Sequence, residues 1–373
     1  MEVPISGLGG HVPTSGFVVE TMPQRIVFGA GSIATVPGEV SRADLKRVLV
    51  IASGSSGAIA EQIVAELGSS AAGRLSEVRQ HVPRPLAEEA CREAIATEAD
   101  GLVAVGGGSS IGLAKAVAVQ LGLSIVAVPV TYSGSEVSSI YGITDERKHT
   151  AKDPRALPRV VIYDPELGSA LSSQVTAASG FNALAHAVEA LYSPGRNPTS
   201  SLQAAEAIRL LAGALPVLVE RSDDVRRRAE ALLGAYLAGS ATATAGTALQ
   251  HKLAHVLGGT HDLTHAELHA VLLPHVTAYN QPASGDLLDG AAAALGAPDT
   301  ATGLWRLGRQ IGNPRSLAEL GLDKEVLDEA AEQTVIEVGA ANPRPVDRRA
   351  VMALLEDAYA GRTPRTNEED GDG

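Results

Sequence analysis

Short apolar runs rich in β-branched residues alternate with stretches of helical periodicity between residues 47 and 130. Strands are predicted at 47–53, 76–82, 101–105 and 124–130, and helices near 57–67, 85–98 and 110–121. Strands and helices that alternate in this way form a parallel sheet that is covered by helices on both faces. A further strand is predicted over 159–167, so we expect the first half of the chain to be a doubly wound, Rossmann-like α/β domain.

Beyond residue 167 the pattern changes to Ala-rich helical periodicity, which continues to about Ala360 and predicts an all-α C-terminal domain. The predicted organisation is an N-terminal extension at 1–16, the α/β domain at 17–168, the helical domain at 169–362 and an acidic tail at 363–373. Because the tail carries four acidic residues and no apolar run, we expect it to be disordered.

The composition restricts the kinds of protein that the chain can be. Hydrophobic residues make up 45% of the 373 residues but aromatic residues only 3%, which favours close-packed helices and parallel strands over a β-sandwich. The net charge of −13 argues against a nucleic-acid partner. A single cysteine, Cys91, excludes an internal disulfide framework and a cysteine-based zinc cluster.

The sequence also carries no sign of export or of a membrane span. The N-terminal residues lack the basic and apolar regions of a signal peptide, and no run of about 18 apolar residues is uninterrupted. We therefore expect a cytoplasmic protein with no membrane partner.

A glycine-rich turn, Gly106-Gly107-Gly108-Ser109, lies between a predicted strand and a predicted helix. Glycines allow a ligand to approach the backbone closely, and the free N–H groups at a helix start bind anions such as a pyrophosphate. Tight turns in α/β proteins also need glycine, and the motif is not the G-x-G-x-x-G fingerprint, so both interpretations stay open at this point.

Hydroxyl side chains follow the next predicted strand, in VPVTYSGSEVSS at 128–139. Thr131, Ser133 and Ser135 are placed to hydrogen-bond a ribose, a phosphate or a carboxamide, because the carboxyl ends of parallel strands share one edge of the sheet. Alone, this segment is equally typical of an ordinary helix cap. Two such loops at one edge favour a nucleotide site.

Six of the ten histidines fall in two short segments of the helical domain. These are His186, His251, His255, His261, His265 and His269. Asn182 with His186, and His251 with His255, are spaced to share a helix face. A single histidine is most often a core or surface residue, but so many in an Ala-rich setting indicate that metal, substrate or other histidines are their partners.

Together these segments make the sequence similar to the iron-containing alcohol dehydrogenase superfamily and, within it, to the maleylacetate reductase branch. The similarity rests on blocks at 22–32, 106–116, 129–136, 153–167, 179–198, 251–275 and 342–364. It implies a dehydroquinate synthase-like architecture, with a nucleotide-binding α/β domain and a helical catalytic domain. It also implies a nicotinamide cofactor and a homodimer.

Residue by residue, the resemblance assigns the cofactor to the α/β domain. It implies that Gly107, Gly108 and Ser109 bind the pyrophosphate, and that Thr131, Ser133 and Lys148 lie near the inner half of the cofactor. Relatives discriminate against NADP with an Asp at the end of the first strand, where this chain has Ser53 and no acid nearby. We therefore expect NADH to be used and NADPH to be tolerated.

Metal-dependent relatives bind iron or zinc through one Asp and three His. The matching positions are Asn182, His186, His251 and His265, so a neutral amide replaces the one anionic ligand. Gly112 also stands where those relatives usually carry Asp. Both departures predict that no metal is essential.

The implied reaction is hydride transfer to the conjugated double bond of an unsaturated oxo-dicarboxylate, which converts maleylacetate to 3-oxoadipate. His251 and His255 are the candidates for the enolate stabiliser and the proton donor. His186 and His265 are expected to orient them or to bind a carboxylate of this small anionic substrate.

The pocket region departs from the branch. Where the branch commonly reads G-G-T-F-D-L-P-H-A-E-T-H, this chain has His261, Thr264 and Leu268. His261 either contacts the substrate or faces solvent, and the role of His269 is open. The alternatives are a metal-dependent alcohol or aldehyde dehydrogenase with a biosynthetic substrate, a dehydroquinate synthase-like lyase that uses zinc and NAD, and a non-catalytic nucleotide-binding protein.

Overall fold

The computed structural model describes residues 17–145, 148–261 and 263–365, with the backbone alone at 148 and 259–261. These residues form two compact units. The sheet unit comprises residues 22–171 and 222–232, and the helical unit comprises residues 17–21, 172–221 and 233–365. The predicted extension at 1–16 and most of the predicted tail lie outside the described residues.

The sheet unit is built on six parallel strands in the order β1-β8-β5-β4-β2-β3. Their bounds are β1 Arg25–Phe28, β2 Val48–Ala52, β3 Ala71–Leu75, β4 Gly101–Gly106, β5 Ser124–Pro129 and β8 Val160–Tyr163. Between β5 and β8, strands β6 (Ile140–Thr144) and β7 (Lys148–Lys152) form an antiparallel pair. The predicted parallel sheet is confirmed.

Helices cover both faces of this sheet. They are α1 Val36–Arg42, α2 Gly57–Leu67, α3 Arg84–Ala96 and α4 Gly108–Leu121. On one face, valines of β2, β4 and β5 pack in one cluster with apolar residues of α1 and α2. The alternate positions of these strands are also fully buried, as a parallel sheet with two covered faces requires.

One predicted strand is wrong. The strand expected at 76–82 lies instead at Ala71–Leu75, and residues 76–82 form a loop. His81 and Val82 in this loop have φ values of 60° and 50°, which a strand does not allow. The true strand is at the sheet edge and only half-buried, so its sequence AAGRL needs no apolar run.

The chain returns to the sheet unit after residue 221, which a single boundary at 168/169 does not anticipate. Residues 222–232 belong to this unit. Arg228 is 1% exposed, and its Nη1 donates to Tyr132 Oη at 2.9 Å while its Nε donates to the Ser222 carbonyl at 3.0 Å. A buried guanidinium needs such acceptors, so these bonds tie the segment to the loop after β5.

The helical unit has no strand among its described residues, which confirms the predicted α-helical half. Its helices are α5 Ser173–Tyr192, α6 Pro198–Glu220, α7 Val225–Ala245, α8 Leu249–His261, α9 His265–Ser284, α10 Asp289–Ala294, α11 Thr300–Gln310, α12 Leu327–Val338 and α13 Arg348–Ala360, and the first residues of α7 belong to the sheet unit. Leucines and valines of α8, α9, α12 and α13 form one core. Helix α5 packs against α6 and α9.

One described helix, α6, is long and apolar enough to cross a membrane by length and composition. Its Ala204, Ile208, Leu211 and Leu215 are fully buried. The helix also packs along α5, as the core helix of a globular unit does.

Candidate active site

The carboxyl edge of the sheet contains a topological switch point. The chain continues from β2 to β3 on one side and then crosses over to build β4, β5 and β8 on the other. Ser53 follows β2, and Gly107 follows β4, its neighbour in the sheet. Open parallel sheets bind ligands at such a point.

The loops after β4 and β5 approach each other closely. A Cβ on Gly107 would lie 3.1 Å from Thr131 Oγ1, and one on Gly108 would lie 3.4 Å from Ser133 Cβ. Helix α4 begins at Gly108, and its N-cap residue makes no side-chain capping hydrogen bond. The first amides of α4, Ser109 included, can therefore bind an anion, and these residues fit a dinucleotide pyrophosphate.

Serines connect this turn to the end of β2. The Ser53 N–H donates to Ser110 Oγ at 3.3 Å, and Ser53 Oγ lies 2.9 Å from Ser55 Oγ. Gly106 has a φ of 131°, and a Cβ there would lie 2.9 Å from Ser110 Oγ. The structure thus brings Ser53 to the same edge as the glycine turn, whereas the side chain of Lys148 lies outside the described residues.

A buried polar network supports the loop after β5. Lys115 Nζ donates to the carbonyls of Ser138 and Ile140, both at 2.8 Å, and the Tyr163 hydroxyl donates to Glu136 at 2.7 Å. Burial lowers the pKa of Lys115 to about 7, although Glu136 opposes this shift. Burial also raises the pKa of Glu136. Ser133, which donates to Glu136, belongs to the same network.

Five of the histidines whose side chains are described meet in the helical unit, brought together by helices α5, α8 and α9. The distances between ring centroids are 4.4 Å for His186–His251, 4.6 Å for His251–His269, 4.5 Å for His265–His269, 5.3 Å for His255–His265 and 6.3 Å for His251–His255. We call these residues the histidine cluster. The four predicted catalytic histidines are all members.

Glu189 is the carboxylate of this cluster, and the sequence analysis missed it. It is fully buried on α5, and its Oε2 lies 2.5 Å from Nδ1 of His251. Its Oε1 accepts the Gln250 N–H at 2.7 Å at the start of α8. Glu189 follows His186 by three residues and Asn182 by seven, and this helical spacing was the available signal.

His269 is completely buried and contacts both Gln250 and His265. Its Nδ1 lies 2.9 Å from Gln250 Nε2, and its Nε2 lies 3.1 Å from His265 Nε2. Burial, reinforced by the neighbouring histidines, lowers the pKa of His269 well below 6.5. His269 therefore stays neutral and acts as a hydrogen-bonding spacer between Gln250 and His265.

The cluster has a closed side and an open side. His251 and His269 are buried, at 3% and 0% exposure, whereas His186, His255 and His265 are partly exposed. Among the described residues, Nε2 of His251 has no hydrogen-bond partner. The open side consists of the three partly exposed imidazoles, which a small molecule can contact.

The positions matched to metal ligands lie on the three helices of the histidine cluster. Among the described His, Cys, Asp and Glu side chains, no group of three is arranged to hold an ion. His251 Nδ1 faces Glu189, and His265 Nε2 faces His269. Asn182, at the position matched to the anionic ligand, supplies a neutral amide. The side chain of His261 lies outside the described residues.

Comparisons with known proteins agree with this arrangement. The iron-containing alcohol dehydrogenase family matches residues 23–165, and the C-terminal part of the Fe-containing alcohol dehydrogenase family matches 176–359. Maleylacetate reductases from Sphingobium indicum and Burkholderia cepacia are 42% and 43% identical over 351 residues, covering 94% of this chain and 99% of each relative. The crystal structure of maleylacetate reductase from Agrobacterium tumefaciens is 42% identical, with a TM-score of 0.89 over 94% of this chain and 99% of that one. The chain therefore belongs to the iron-containing alcohol dehydrogenase family, in its maleylacetate reductase branch.

Proposed function

We propose that the protein is an NAD(P)H-dependent reductase of maleylacetate or a closely related unsaturated oxo-dicarboxylate, and that it forms 3-oxoadipate from maleylacetate. The observation that carries the proposal is the histidine cluster with its buried partner Glu189 and its open side. Reductases of maleylacetate that align with nearly the whole chain give the substrate class. NADH is the proposed reductant, and NADPH is accepted.

The sheet unit holds the dinucleotide in this proposal. Gly107, Gly108 and Ser109 present backbone amides to the pyrophosphate, and Thr131 and Ser133 border the same turn. When bound, the dihydronicotinamide supplies the hydride. The protein contributes position, because correct alignment of the reacting atoms replaces a bimolecular encounter.

In this proposal the helical unit supplies the imidazolium that stabilises the enolate and the proton that is added to carbon. Hydride addition to the conjugated double bond leaves an enolate, whose oxygen needs a hydrogen-bond donor. His251 donates from Nδ1 to Glu189, so Nε2 can donate to that oxygen only in the imidazolium form, which the Glu189 carboxylate balances. His255, partly exposed and one helical turn away, is the proposed proton donor to carbon.

His186 and His265 border the open side and are proposed to hold a substrate carboxylate. We propose no step through a metal, because Asn182 places a neutral amide where metal-dependent relatives carry the one anionic ligand. We also propose that the enzyme is a cytoplasmic homodimer that acts on a small anionic substrate, without a nucleic-acid or membrane partner.

The test is optical measurement of NADH oxidation with maleylacetate, using protein treated with EDTA and assayed for metal. Rapid turnover by metal-free enzyme is the expected result. Turnover that requires added Fe²⁺ or Zn²⁺, or that occurs only with simple aldehydes, favours the metal-dependent alcohol dehydrogenase alternative and overturns the proposal. The same preparation without maleylacetate is the control for background oxidation.

A further inference from the structure

We infer that Arg74 binds the 2′-phosphate of NADPH and sets how well the enzyme accepts this cofactor. The inference rests on the proposed use of NAD(P)H. No sequence motif assigns a function to this residue, which lies on the edge strand β3.

The sheet places Arg74 beside the end of β2. Strands β2 and β3 are parallel neighbours, and Arg74 pairs with Val50, three residues before Ser53. Val50 packs in the cluster that includes α2, so the side chain of Arg74 lies on the same face of the sheet as that helix. A Cβ on Gly57, the first residue of α2, would lie 3.1 Å from Arg74 Nη2. The guanidinium therefore reaches the start of α2, one turn beyond Ser53.

The surroundings of this guanidinium suit a phosphate dianion. The turn at 53–56 carries three serine hydroxyls and no acid. The N-cap residue of α2 makes no side-chain capping hydrogen bond, so the first amides of α2 can bind an anion as well. Guanidinium, hydroxyl and amide donors are the groups that bind phosphate oxygens in proteins.

The present partner of Arg74 is easily displaced. Nη1 lies 3.0 Å from Glu61 Oε1, but the Glu61 side chain is 73% exposed and that of Arg74 26%. An ion pair to so exposed a carboxylate contributes little to stability. A phosphate at this position can therefore replace Glu61 as the acceptor for the terminal nitrogens of the guanidinium.

NADH has a hydroxyl where NADPH has this phosphate, so Arg74 is not needed for NADH. The two cofactors thus provide an internal comparison within each variant. Arg47 provides a matched control. It is an exposed arginine that precedes β2, so it lies at the end of that strand opposite to Ser53.

The experiment measures binding by isothermal titration calorimetry, with adenosine 2′,5′-bisphosphate and 5′-AMP as probes. Arg74→Gln should weaken binding of the bisphosphate roughly 10- to 100-fold, the usual effect of losing hydrogen bonds to a charged group, and leave 5′-AMP unchanged. Arg74→Lys keeps the charge but loses the fork of donors, so its affinity for the bisphosphate should lie between those of the wild type and Arg74→Gln. Arg47→Gln should change neither affinity.

A variant of the competing partner should act in the opposite direction. Glu61→Gln removes the carboxylate that pairs with Arg74, and we expect it to tighten binding of the bisphosphate by about 2- to 5-fold. The ratio of kcat/KM for NADPH to that for NADH should follow the same order in all four variants.

Two results overturn the inference: unchanged bisphosphate affinity in Arg74→Gln, or an equal loss for both probes. The proposed function is tested separately by NADH-driven reduction of maleylacetate. If maleylacetate is not reduced but Arg74→Gln still weakens bisphosphate binding selectively, the proposed substrate is wrong and the role of Arg74 stands. If maleylacetate is reduced but Arg74→Gln has no selective effect, the proposed substrate stands and the role of Arg74 is wrong. Circular dichroism of each variant identifies a loss of affinity that comes from misfolding. If Arg74→Gln misfolds, Glu61→Gln still tests the inference, because it should tighten bisphosphate binding with Arg74 in place.

Discussion

Replacing Glu189 with glutamine changes one buried oxygen into an amino group at the point where His251 is held. In the wild type, one carboxylate oxygen accepts the Gln250 N–H at 2.7 Å and the other lies 2.5 Å from His251 Nδ1. The amide oxygen of the variant can keep the bond to Gln250. Its amino group then faces Nδ1, so His251 must give up the proton at Nδ1 and carry it at Nε2 instead.

The structure gives the size of both effects. One buried hydrogen bond to a charged group is weakened, so the free energy of unfolding should fall by about 1–3 kcal/mol. In the variant, Nε2 of His251 donates from a neutral imidazole, which stabilises an enolate less than an imidazolium does, so kcat should fall roughly 100-fold, within the usual contribution of an acid–base group. The affinity for NADH should not change, because the residues assigned to the nucleotide belong to the sheet unit.

Three measurements test this reasoning on one preparation: urea unfolding, steady-state reduction of maleylacetate and fluorescence titration of NADH. Glu189→Asp keeps the charge and should recover part of kcat. Glu206→Gln, which removes a carboxylate paired with Arg209 on the surface of α6, is the matched control. A folded Glu189→Gln enzyme with wild-type kcat would refute the assignment of Glu189 to His251.

The remaining predictions concern three other positions. His251→Ala should lower the rate of hydride transfer in single-turnover measurements and leave the dissociation constant of NADH nearly unchanged; loss of NADH binding instead contradicts the assigned role. Gly107→Val, whose Cβ would lie 3.1 Å from Thr131 Oγ1, should weaken NADH binding in a fluorescence titration, whereas Gly213→Ala, with open space around it, should not. Burial lowers the pKa of Lys115 from 10.5 to about 7, so the unfolded chain binds more protons between these values and the free energy of unfolding rises with pH across that window. The rise is at most about 1.4 kcal/mol per pH unit, and urea unfolding at pH 7, 8 and 9 should show it in the wild type but not in Lys115→Met; parallel pH dependences contradict it.

The sheet was predictable where burial on both faces forces continuous apolar sequence. Strands β2, β4 and β5 are fully buried or nearly so, and their runs of valine, isoleucine and alanine identify them. Strand β3 was not predictable, because its edge position leaves AAGRL half-exposed and removes the requirement for apolar residues. The apolar pattern identifies buried strands and is weak at the sheet edge.

The candidate site likewise contains residues that the sequence identifies and residues that only the packing reveals. The histidines were recognisable as a group because clustered imidazoles in an apolar helical region need partners. Glu189 was not recognised, since a lone glutamate in an alanine-rich helix is most often a solvated residue, and only the packing of α8 against α5 reveals that it is buried. The return of residues 222–232 to the sheet unit depends equally on a long-range contact, that of Arg228 with Tyr132.

That contact also orders the events of synthesis. Tyr132 lies between the two hydroxyl residues of the loop after β5, and its buried partner Arg228 follows it by 96 residues. When the last strand of the sheet has left the ribosome, Arg228 has still to be made. The Tyr132 hydroxyl therefore lacks the guanidinium that donates a hydrogen bond to it. A fragment that ends at residue 171 contains every strand of the sheet but not this partner, so we expect it to bind the dinucleotide poorly until a peptide that carries residues 222–232 is supplied.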